Sequence, residues 1–277
     1  MKIFTYNHRK ALSILKSIEK QILGLMDIAK TVQAKELVAI YENRGYKEIT
    51  IRNTLSQLKK MNIIEATARG TYQITIYGQK AFGSLNAKHK HIDETFADSW
   101  CIVIMQIPEI YRKQKDAVKS ILLDLGFAQY YSNIYISPWN YKTAVKSSLE
   151  RFGLINYANI IQGSFLMKPI TTEQACSLWG ISALQTLYTE KDLWLQEKFP
   201  DGKKTIRNAD DLTLFNDYLD LQEHIDHIFL VDPFIPVSLL PTDWPGNRIL
   251  KQFIALHEYI SSEFPIHSSY YKFIKKC

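Results

Sequence analysis

The chain has 277 residues, of which 46% are hydrophobic and 22% are charged, proportions that are ordinary for a globular protein. It contains no apolar run long enough for a membrane span, no apolar stretch of the secretory type in residues 1–10, and only three cysteines, Cys101, Cys176 and Cys277, without motif spacing. These features exclude the membrane and disulfide-rich secreted classes and predict a cytoplasmic protein of one to three domains.

The charge is distributed unevenly along the chain. Residues 1–95 contain 16 Lys and Arg against 8 Asp and Glu, whereas residues 181–277 contain 10 against 14. A basic N-terminal third followed by an acidic C-terminal third favours a nucleic-acid-binding domain attached to a regulatory or oligomerising body.

The N-terminal third begins with three amphipathic stretches. Apolar residues recur at helical spacing from Lys10 to Lys30, and Thr31–Gln33 is expected to break this first helix. A second helix is predicted from Ala34 to about Gly45. A third opens at Thr50, which is a suitable N-cap residue. The apolar positions of the first and third helices are Leu15, Ile18, Ile22, Leu25, Met26, Ala29, Ile51, Leu55 and Leu58.

A β-hairpin is predicted directly after the third helix. Residues Ile63–Thr67 and Thr71–Ile76 have strand-like composition, and Ala68-Arg69-Gly70 supplies the turn between them. Three helices followed by a hairpin is the order of a winged helix-turn-helix domain, which we place at residues 1–82.

The side of the third helix opposite its apolar stripe carries side chains suited to DNA. Arg can donate two hydrogen bonds to guanine, Asn and Gln can pair with adenine, and Lys and Ser reach phosphates. No carboxylate lies between Ile49 and Ile64. A solvated helix face is also polar, but a face chosen at random would often contain Glu. The predicted DNA-binding residues are Lys47, Thr50, Arg52, Asn53, Ser56, Gln57, Lys59, Lys60, Arg69 and Thr71.

The middle of the chain has the pattern βαββαβ, which is typical of a ferredoxin-like domain and is placed at residues 99–168 after a polar linker at 83–98. The expected elements are a buried strand at 100–107, a helix at Lys113–Leu125, strands at Phe127–Tyr131 and Asn133–Ser137, a helix at Lys142–Phe152, and a strand at Asn159–Leu166.

This middle pattern resembles the small CRISPR-associated adaptation nuclease, which places an aspartate at the end of its first strand. Here that strand ends in Ile107-Pro108, and Glu109 is the nearest carboxylate. Metal-assisted phosphodiester cleavage needs carboxylates to hold the ion. A divalent-metal-dependent nuclease is therefore kept as the alternative function, with Glu109 as its test residue, and an enzyme is not expected.

The C-terminal third, residues 169–277, is predicted to be a helical domain. Helices are expected at Gln174–Phe199, Leu212–Phe229 and Asn247–Phe264, with a turn at Pro200–Lys204. The segment Asp232–Gly246 contains four prolines among Leu, Ile, Phe and Trp, so it is expected to form an ordered apolar loop. The fold class is thus α+β, with a winged helix, a ferredoxin-like middle and a helical end.

In this order of domains the chain resembles the phenylacetic acid degradation operon repressor family, the PaaX-like transcriptional regulators. The resemblance covers nearly the whole length. A winged helix or a ferredoxin-like unit alone is common, so it is the order of the three domains, together with the proline-rich loop, that makes the resemblance specific. The stretches that carry it are Ile51–Leu58 with Tyr72–Gly78, Leu125-Gly126-Phe127 with Ile134–Pro138, and Asp232-Pro233 through Leu239-Leu240-Pro241 to Asp243-Trp244-Pro245-Gly246.

The resemblance implies a homodimeric repressor that binds double-stranded DNA at an inverted-repeat operator and is released by an aryl-CoA thioester. It implies no catalytic residue, metal or cofactor, and it assigns no ligand-binding residue. The chain departs from the family pattern at Asp226-His227, where an arginine is frequent. An acidic residue is unfavourable beside the phosphates of CoA.

Other constellations are read as structural. The pairs His224/His227 and His89/His91 have no third ligand at metal spacing, so surface or interface histidines are expected. The basic and aromatic tail Tyr270–Cys277 is expected to be a frayed terminus. A third reading, a winged helix used for contacts with protein, is disfavoured by the stretch without carboxylates at Ile49–Ile64.

Overall fold

The computed structural model describes residues 17–79, 88–207 and 209–275. Leu15, Cys277 and residues 83–87 of the expected linker lie outside these ranges. Contacts divide the chain into two units: the described residues of Met1–Asn86, Leu195–Asp226 and Lys251–Cys277 form the first, and those of Ala87–Trp194 and His227–Leu250 form the second. The domain boundaries named above remain predictions.

The N-terminal part of the first unit contains three helices and a small sheet. The order of the three antiparallel strands in the sheet is β1-β3-β2. The elements are α1 (Ser17–Ala29), β1 (Thr31–Gln33), α2 (Ala34–Glu42), α3 (Glu48–Lys60), β2 (Ile64–Ala68) and β3 (Thr71–Ile74).

The apolar stripes read from the sequence face inward. The helices α1, α2 and α3 contribute side chains that are fully buried, and burying each stabilises the unit by about 1.5–3 kcal/mol. They include Ile22, Leu23, Leu37, Ile51 and Leu58, all with 0% exposure.

The first helix is interrupted at Thr31–Gln33, as expected, but two details of this region differ from the prediction. The segment Thr31–Gln33 is a strand that pairs with β3, with Val32 opposite Tyr72. Its exposed-buried-exposed alternation covers only three residues, which is too short for a periodicity to be detected. The last strand ends at Ile74, and residues 76–79 are helical, so Ile76 does not belong to the hairpin.

The second unit contains the expected βαββαβ arrangement. Its four antiparallel strands have the order β5-β6-β4-β7, which is the ferredoxin-like order. The elements are β4 (Trp100–Met105), α4 (Arg112–Asp124), β5 (Ala128–Tyr131), β6 (Ile134–Ser137), α5 (Lys142–Arg151) and β7 (Ala158–Gly163). One face of the sheet packs on the two helices through a core that includes Cys101, Val103, Met105, Val118, Leu122, Tyr135, Val145 and Leu149. The last strand is shorter than expected, since it ends at Gly163 and Leu166 is 98% exposed.

The C-terminal region is helical, as expected, although several boundaries differ. The helices are α6 (Thr172–Trp179), α7 (Ile181–Lys198), α8 (Lys203–Arg207), α9 (Asp211–Val231) and α10 (Gly246–Glu263). Gly180, with φ +62°, divides the stretch that the sequence indicated as one helix. The turn after Pro200 is shorter than expected because α8 begins at Lys203. The proline-rich segment is irregular apart from one 3-10 turn, Val237–Leu239. Within the described ranges no helix has both the length and the apolar character needed to cross a membrane.

The C-terminal tail is packed, which corrects the expectation of a frayed end as far as residue 275. Residues Tyr271–Phe273 form a 3-10 turn, and Phe273 and Ile274 are only 2% and 3% exposed. The Tyr270 ring stacks on Phe215, with ring centroids 4.6 Å apart. These aromatic contacts, contributed from α9, were not evident from the tail sequence alone.

Candidate nucleic-acid interface

Helix α3 is positioned by its apolar side. Ile51, Leu55 and Leu58 are buried, as the spacing predicted, and Thr54 is buried beside them. The Thr54 hydroxyl donates to the Thr50 carbonyl at 2.9 Å, so its polar atom is satisfied inside the helix. The opposite side of the helix therefore faces outward.

The helix begins earlier than the sequence indicated. Its N-cap is Lys47 and its first residue is Glu48, while the amide of Thr50 donates to the Lys47 carbonyl at 2.9 Å. Thr50 is therefore in the first turn and is not the N-cap. A carboxylate in the first turn interacts favourably with the helix dipole, which supports a start at Glu48.

The predicted DNA-binding side chains are accessible. We call Arg52, Asn53, Ser56, Gln57, Lys59 and Lys60 the outward face of α3, and every one of them is exposed. Lys47, Thr50 and Arg69 are also exposed, and Thr71 is half-buried. Lys59 and Lys60 lie in the last turn, where their charge also complements the helix dipole.

One feature of this face was missed. Arg52 Nε donates to Glu48 Oε1 at 2.6 Å, one turn earlier on the same helix. Because the sequence predicts Thr50 as the N-cap, Glu48 falls outside the predicted helix, and the sequence alone does not indicate this i,i+4 pair. Both side chains are about half exposed, at 55% and 51%, and such a pair contributes only about 0–1 kcal/mol. Because the pair is weak, another hydrogen-bond acceptor can replace Glu48 as the partner of Arg52.

The wing, formed by β2, the Arg69-Gly70 turn and β3, is tied to the start of α2. Gly70 has φ +75°, a left-handed conformation that glycine adopts without steric cost. Its carbonyl accepts a hydrogen bond from the Ala34 amide at 2.8 Å. Across the two strands, Gln73 Nε2 donates to Glu65 Oε1 at 2.7 Å. The position of Arg69 at the tip is therefore supported on both sides.

The loop that leads into α3 is fixed by Arg44, which the sequence reading did not single out. Arg44 Nη2 donates to Asp220 Oδ1 at 2.6 Å, and Nη1 donates to the Asn216 carbonyl at 3.3 Å. The Arg44 and Asp220 side chains are 12% and 29% exposed, so this ion pair is partly shielded from water. Tyr41, at the end of α2, packs edge-on against Tyr46 with centroids 5.8 Å apart.

In the second unit, the position at which the adaptation nuclease has its aspartate carries no acid. β4 ends at Met105, and the first carboxylate beyond it is Glu109, whose side chain is 79% exposed. Glu109 Oε1 accepts a hydrogen bond from Arg112 at 3.2 Å. Among the described residues there is no group of three or more His, Cys, Asp or Glu that could hold a metal ion.

A small cavity in the second unit lies beside the proline-rich segment. Its volume is about 10 Å³, which is space for about one water molecule. One wall is His91, which is buried rather than on the surface as expected, and which stacks on Trp139 with centroids 4.4 Å apart. His91 Nδ1 is paired with Glu94. The other lining residues are Ile92, Ile181, Leu184, Asp232, Phe234, Ile235, Leu240, Trp244 and Asn247.

Next to this cavity Lys88 and Asp232 form a buried polar group. Lys88 Nζ donates to the carbonyls of Leu230 and Asp232, at 3.0 and 2.7 Å, and so satisfies the end of α9. The Asp232 carboxylate accepts from the Tyr188 hydroxyl and from the Phe234 amide, both at 2.6 Å. Burial lowers the pKa of Lys88 to about 8 and raises the pKa of Asp232. These bonds hold the Asp-Pro segment in place.

Two stretches of the chain match known protein families. Residues 93–175 match the family model described as the PaaX protein central Cas2-like domain, and residues 179–264 match the model described as the PaaX-like protein C-terminal domain. No curated protein matches. The uncharacterized protein Rv0674 from Mycobacterium tuberculosis has a similar structure, with a TM-score of 0.51 and 16% identity over 83% of this chain and 89% of that one. At that identity the likeness concerns the fold alone.

Proposed function

Because the chain belongs to the PaaX-like family, whose members are generally regulators rather than enzymes, we propose that it is a sequence-specific DNA-binding transcriptional repressor. The observation that carries this proposal is the outward face of α3. Its six side chains are exposed, and all are of the types that hydrogen-bond bases or phosphates.

The proposed roles follow from the chemistry and position of each side chain. Arg52, Asn53 and Gln57 read base edges in the major groove, while Ser56, Lys59 and Lys60 contact phosphates. Lys47 and Thr50, at the start of α3, contact the DNA backbone. Arg69 and Thr71 reach the adjacent backbone or minor groove from the wing. The Arg44–Asp220 pair keeps the loop before α3 in position but does not itself touch DNA.

The finer parts of the proposal come from the family. The repressor acts as a homodimer on an inverted-repeat operator, so that two copies of α3 enter successive major grooves. An aryl-CoA thioester releases it from the operator. The cavity beside Asp232 has room for about one water molecule, so a CoA ester would bind there only after the proline-rich segment moves.

The proposal is tested by selecting binding sites from random double-stranded DNA with the full chain. We expect the recovered duplexes to share an inverted repeat, and the affinity for them to fall steeply as salt rises. Candidate acyl-CoA esters are then added to the preformed complex, and release of DNA is measured, with free CoA as the control.

The control for specificity is a scrambled duplex of the same composition. Equal affinity for the selected and scrambled duplexes would contradict the proposal. So would a selection that recovers no common sequence.

A further inference from the structure

The C-terminal segment carries lysines at fixed positions in the first unit. The amide of Lys275 donates to the Tyr218 hydroxyl at 3.2 Å, and the neighbouring Phe273 and Ile274 are buried. A charged side chain on such an anchored segment loses less conformational freedom on binding than one on a free tail.

One of these lysines lies at the start of α2. Lys272 Nζ contacts Glu36 Oε1 at 2.5 Å, and the other oxygen of that carboxylate accepts from the Gln33 amide at 2.9 Å. Burial acts to raise the pKa of Glu36, but the hydrogen bonds from Lys272 and from the Gln33 amide outweigh it and lower the pKa. The C-terminal segment is thereby joined to the first turn of α2.

That first turn lies directly beside the wing. Gln33 pairs with Thr71 in the sheet, and the Ala34 amide donates to the Gly70 carbonyl at 2.8 Å. Lys272 is therefore connected, through a single side chain, to the turn that presents Arg69.

The charges at this place favour a phosphate. Alone, Glu36 would repel DNA, but Lys272 neutralises it, and the exposed Lys35 beside it makes the local sum positive. The amides of Gln33 and Ala34 at the N-terminus of α2 already donate to Glu36 and to the Gly70 carbonyl, so the net positive charge comes from the two lysines. The Lys272 side chain is 43% exposed, so it remains accessible while paired.

We infer that Lys272 and Lys35 contact a DNA phosphate beside the wing, so that the C-terminal segment is part of the DNA-binding surface. This inference rests on the proposed function and adds a second patch to it. Binding by this patch does not depend on base sequence, because the patch contacts only the DNA backbone.

The test measures the dependence of affinity on salt for the full chain and the duplex recovered by selection. Each phosphate contact contributes about 0.9 to the slope of log K against log salt concentration. We expect Lys272→Gln to lower the slope by about that amount, and Lys272→Arg to retain it. Lys35→Gln should lower it similarly.

Glu36→Gln separates a phosphate contact from a purely structural ion pair. Both Glu36→Gln and Lys272→Gln break the same pair, so a structural role predicts the same effect of each on DNA binding. A phosphate contact predicts opposite effects: weaker binding for Lys272→Gln and tighter binding for Glu36→Gln. Thermal unfolding of each variant checks that it is folded.

Lys146→Gln is the matched control, since Lys146 forms an exposed ion pair with Glu150 at 3.7 Å in the second unit. We expect no change in its slope. If the wild type binds the duplex but Lys272→Gln keeps the full slope, the inference is wrong and the proposed function stands. If the wild type itself shows no salt-dependent binding, both are overturned.

Discussion

Arg52 and Glu48 form an ion pair on the exposed side of α3, with Arg52 Nε 2.6 Å from Glu48 Oε1. The pair links the arginine best suited to read guanine with the carboxylate at the start of the same helix. In the proposed complex with DNA, Glu48 and the DNA compete for the same guanidinium, so this contact sets how readily Arg52 reaches a base.

We therefore expect Glu48→Gln to tighten DNA binding. Removing the carboxylate frees Arg52 and removes a repulsion from phosphate. Exposed pairs of this kind are worth about 0.2–1 kcal/mol, so a gain of about 1.4- to fivefold is predicted. The measurement is the equilibrium Kd for the selected duplex at fixed salt.

Glu42→Gln serves as the comparison, because it removes the same charge from the exposed surface of α2. A gain for Glu48→Gln beyond that for Glu42→Gln assigns the effect to Arg52. Weaker binding by Glu48→Gln would mean that the pair orients Arg52 for DNA instead of restraining it.

Substitutions on the outward face of α3 should divide into two classes. Arg52→Ala and Gln57→Ala are expected to cost about 1–3 kcal/mol on the selected duplex and little on a scrambled one, since each removes a base contact. Lys60→Ala should weaken both complexes alike. Parallel titrations of the two duplexes distinguish the classes, and a uniform loss for all three variants would contradict the assignment of base-reading roles.

Gly78 lies close to Ile63 and Ile74, at the base of the wing. A Cβ at this position would lie 2.1 Å from the Ile63 carbonyl oxygen and 2.8 Å from Ile74 Cγ2. Because a backbone atom cannot move away easily, Gly78→Ala is expected to destabilise the first unit by about 2 kcal/mol or more. Urea unfolding measures the loss.

Gly163→Ala provides the control, because a Cβ there would meet no atom within 4 Å. Near-wild-type stability is expected for it. Equal stability of the two variants would show that the Ile63–Gly78 contact is not tight in solution.

Sequence periodicity was sufficient for the faces of α1 and α3, and the succession of apolar and amphipathic stretches was sufficient for the βαββαβ order of elements in the second unit. It was insufficient for β1, where Val32 is the only buried position. It also placed the N-cap of α3 at Thr50, three residues after Lys47, because Thr50 is a residue type suited to an N-cap although its amide is already inside the first turn.

His257 should make the first unit sensitive to acid. Burial lowers its pKa to about 4, with a smaller contribution from Lys275, below the ordinary value of 6.5. The unfolded chain therefore binds more protons between these values, and stability is lost as pH falls from about 6.5 to 4, by about 3 kcal/mol at most. His257→Phe keeps a ring stacked on Tyr218 and should remove this loss. Unfolding midpoints at pH 7 and 5 measure it, and an unchanged pH dependence would contradict the assignment.

Asp226 should act in the opposite direction over the same pH range. Burial raises its pKa to about 6, although Gln222 donates to the carboxylate at 2.7 Å and Lys20 is nearby. The folded state then binds more protons, so stability falls as pH rises from about 4 to 6. Asp226→Asn is expected to stabilise the chain at pH 7.5 by about 3 kcal/mol and to have little effect at pH 4. Equal effects of Asp226→Asn on stability at pH 7.5 and at pH 4 would show that the carboxylate is exposed to water.

The sequence alone did not reveal contacts between residues that are far apart in the chain. Arg44 meets Asp220, Lys272 meets Glu36, and Lys88 meets Asp232, in each case over more than a hundred residues. No local pattern marks such partners. The exposure of the candidate DNA-binding residues was easier to predict, because an exposed face needs only one helix to define it.

In the proposed complex the outward face of α3 enters the major groove. Methylation protection tests this directly, because dimethyl sulfate modifies guanine N7 on the major-groove side. On the selected duplex we predict protection of guanines within each half-site, with loss of protection at one guanine per half-site for Arg52→Ala. Full reactivity of every guanine in the wild-type complex would contradict it.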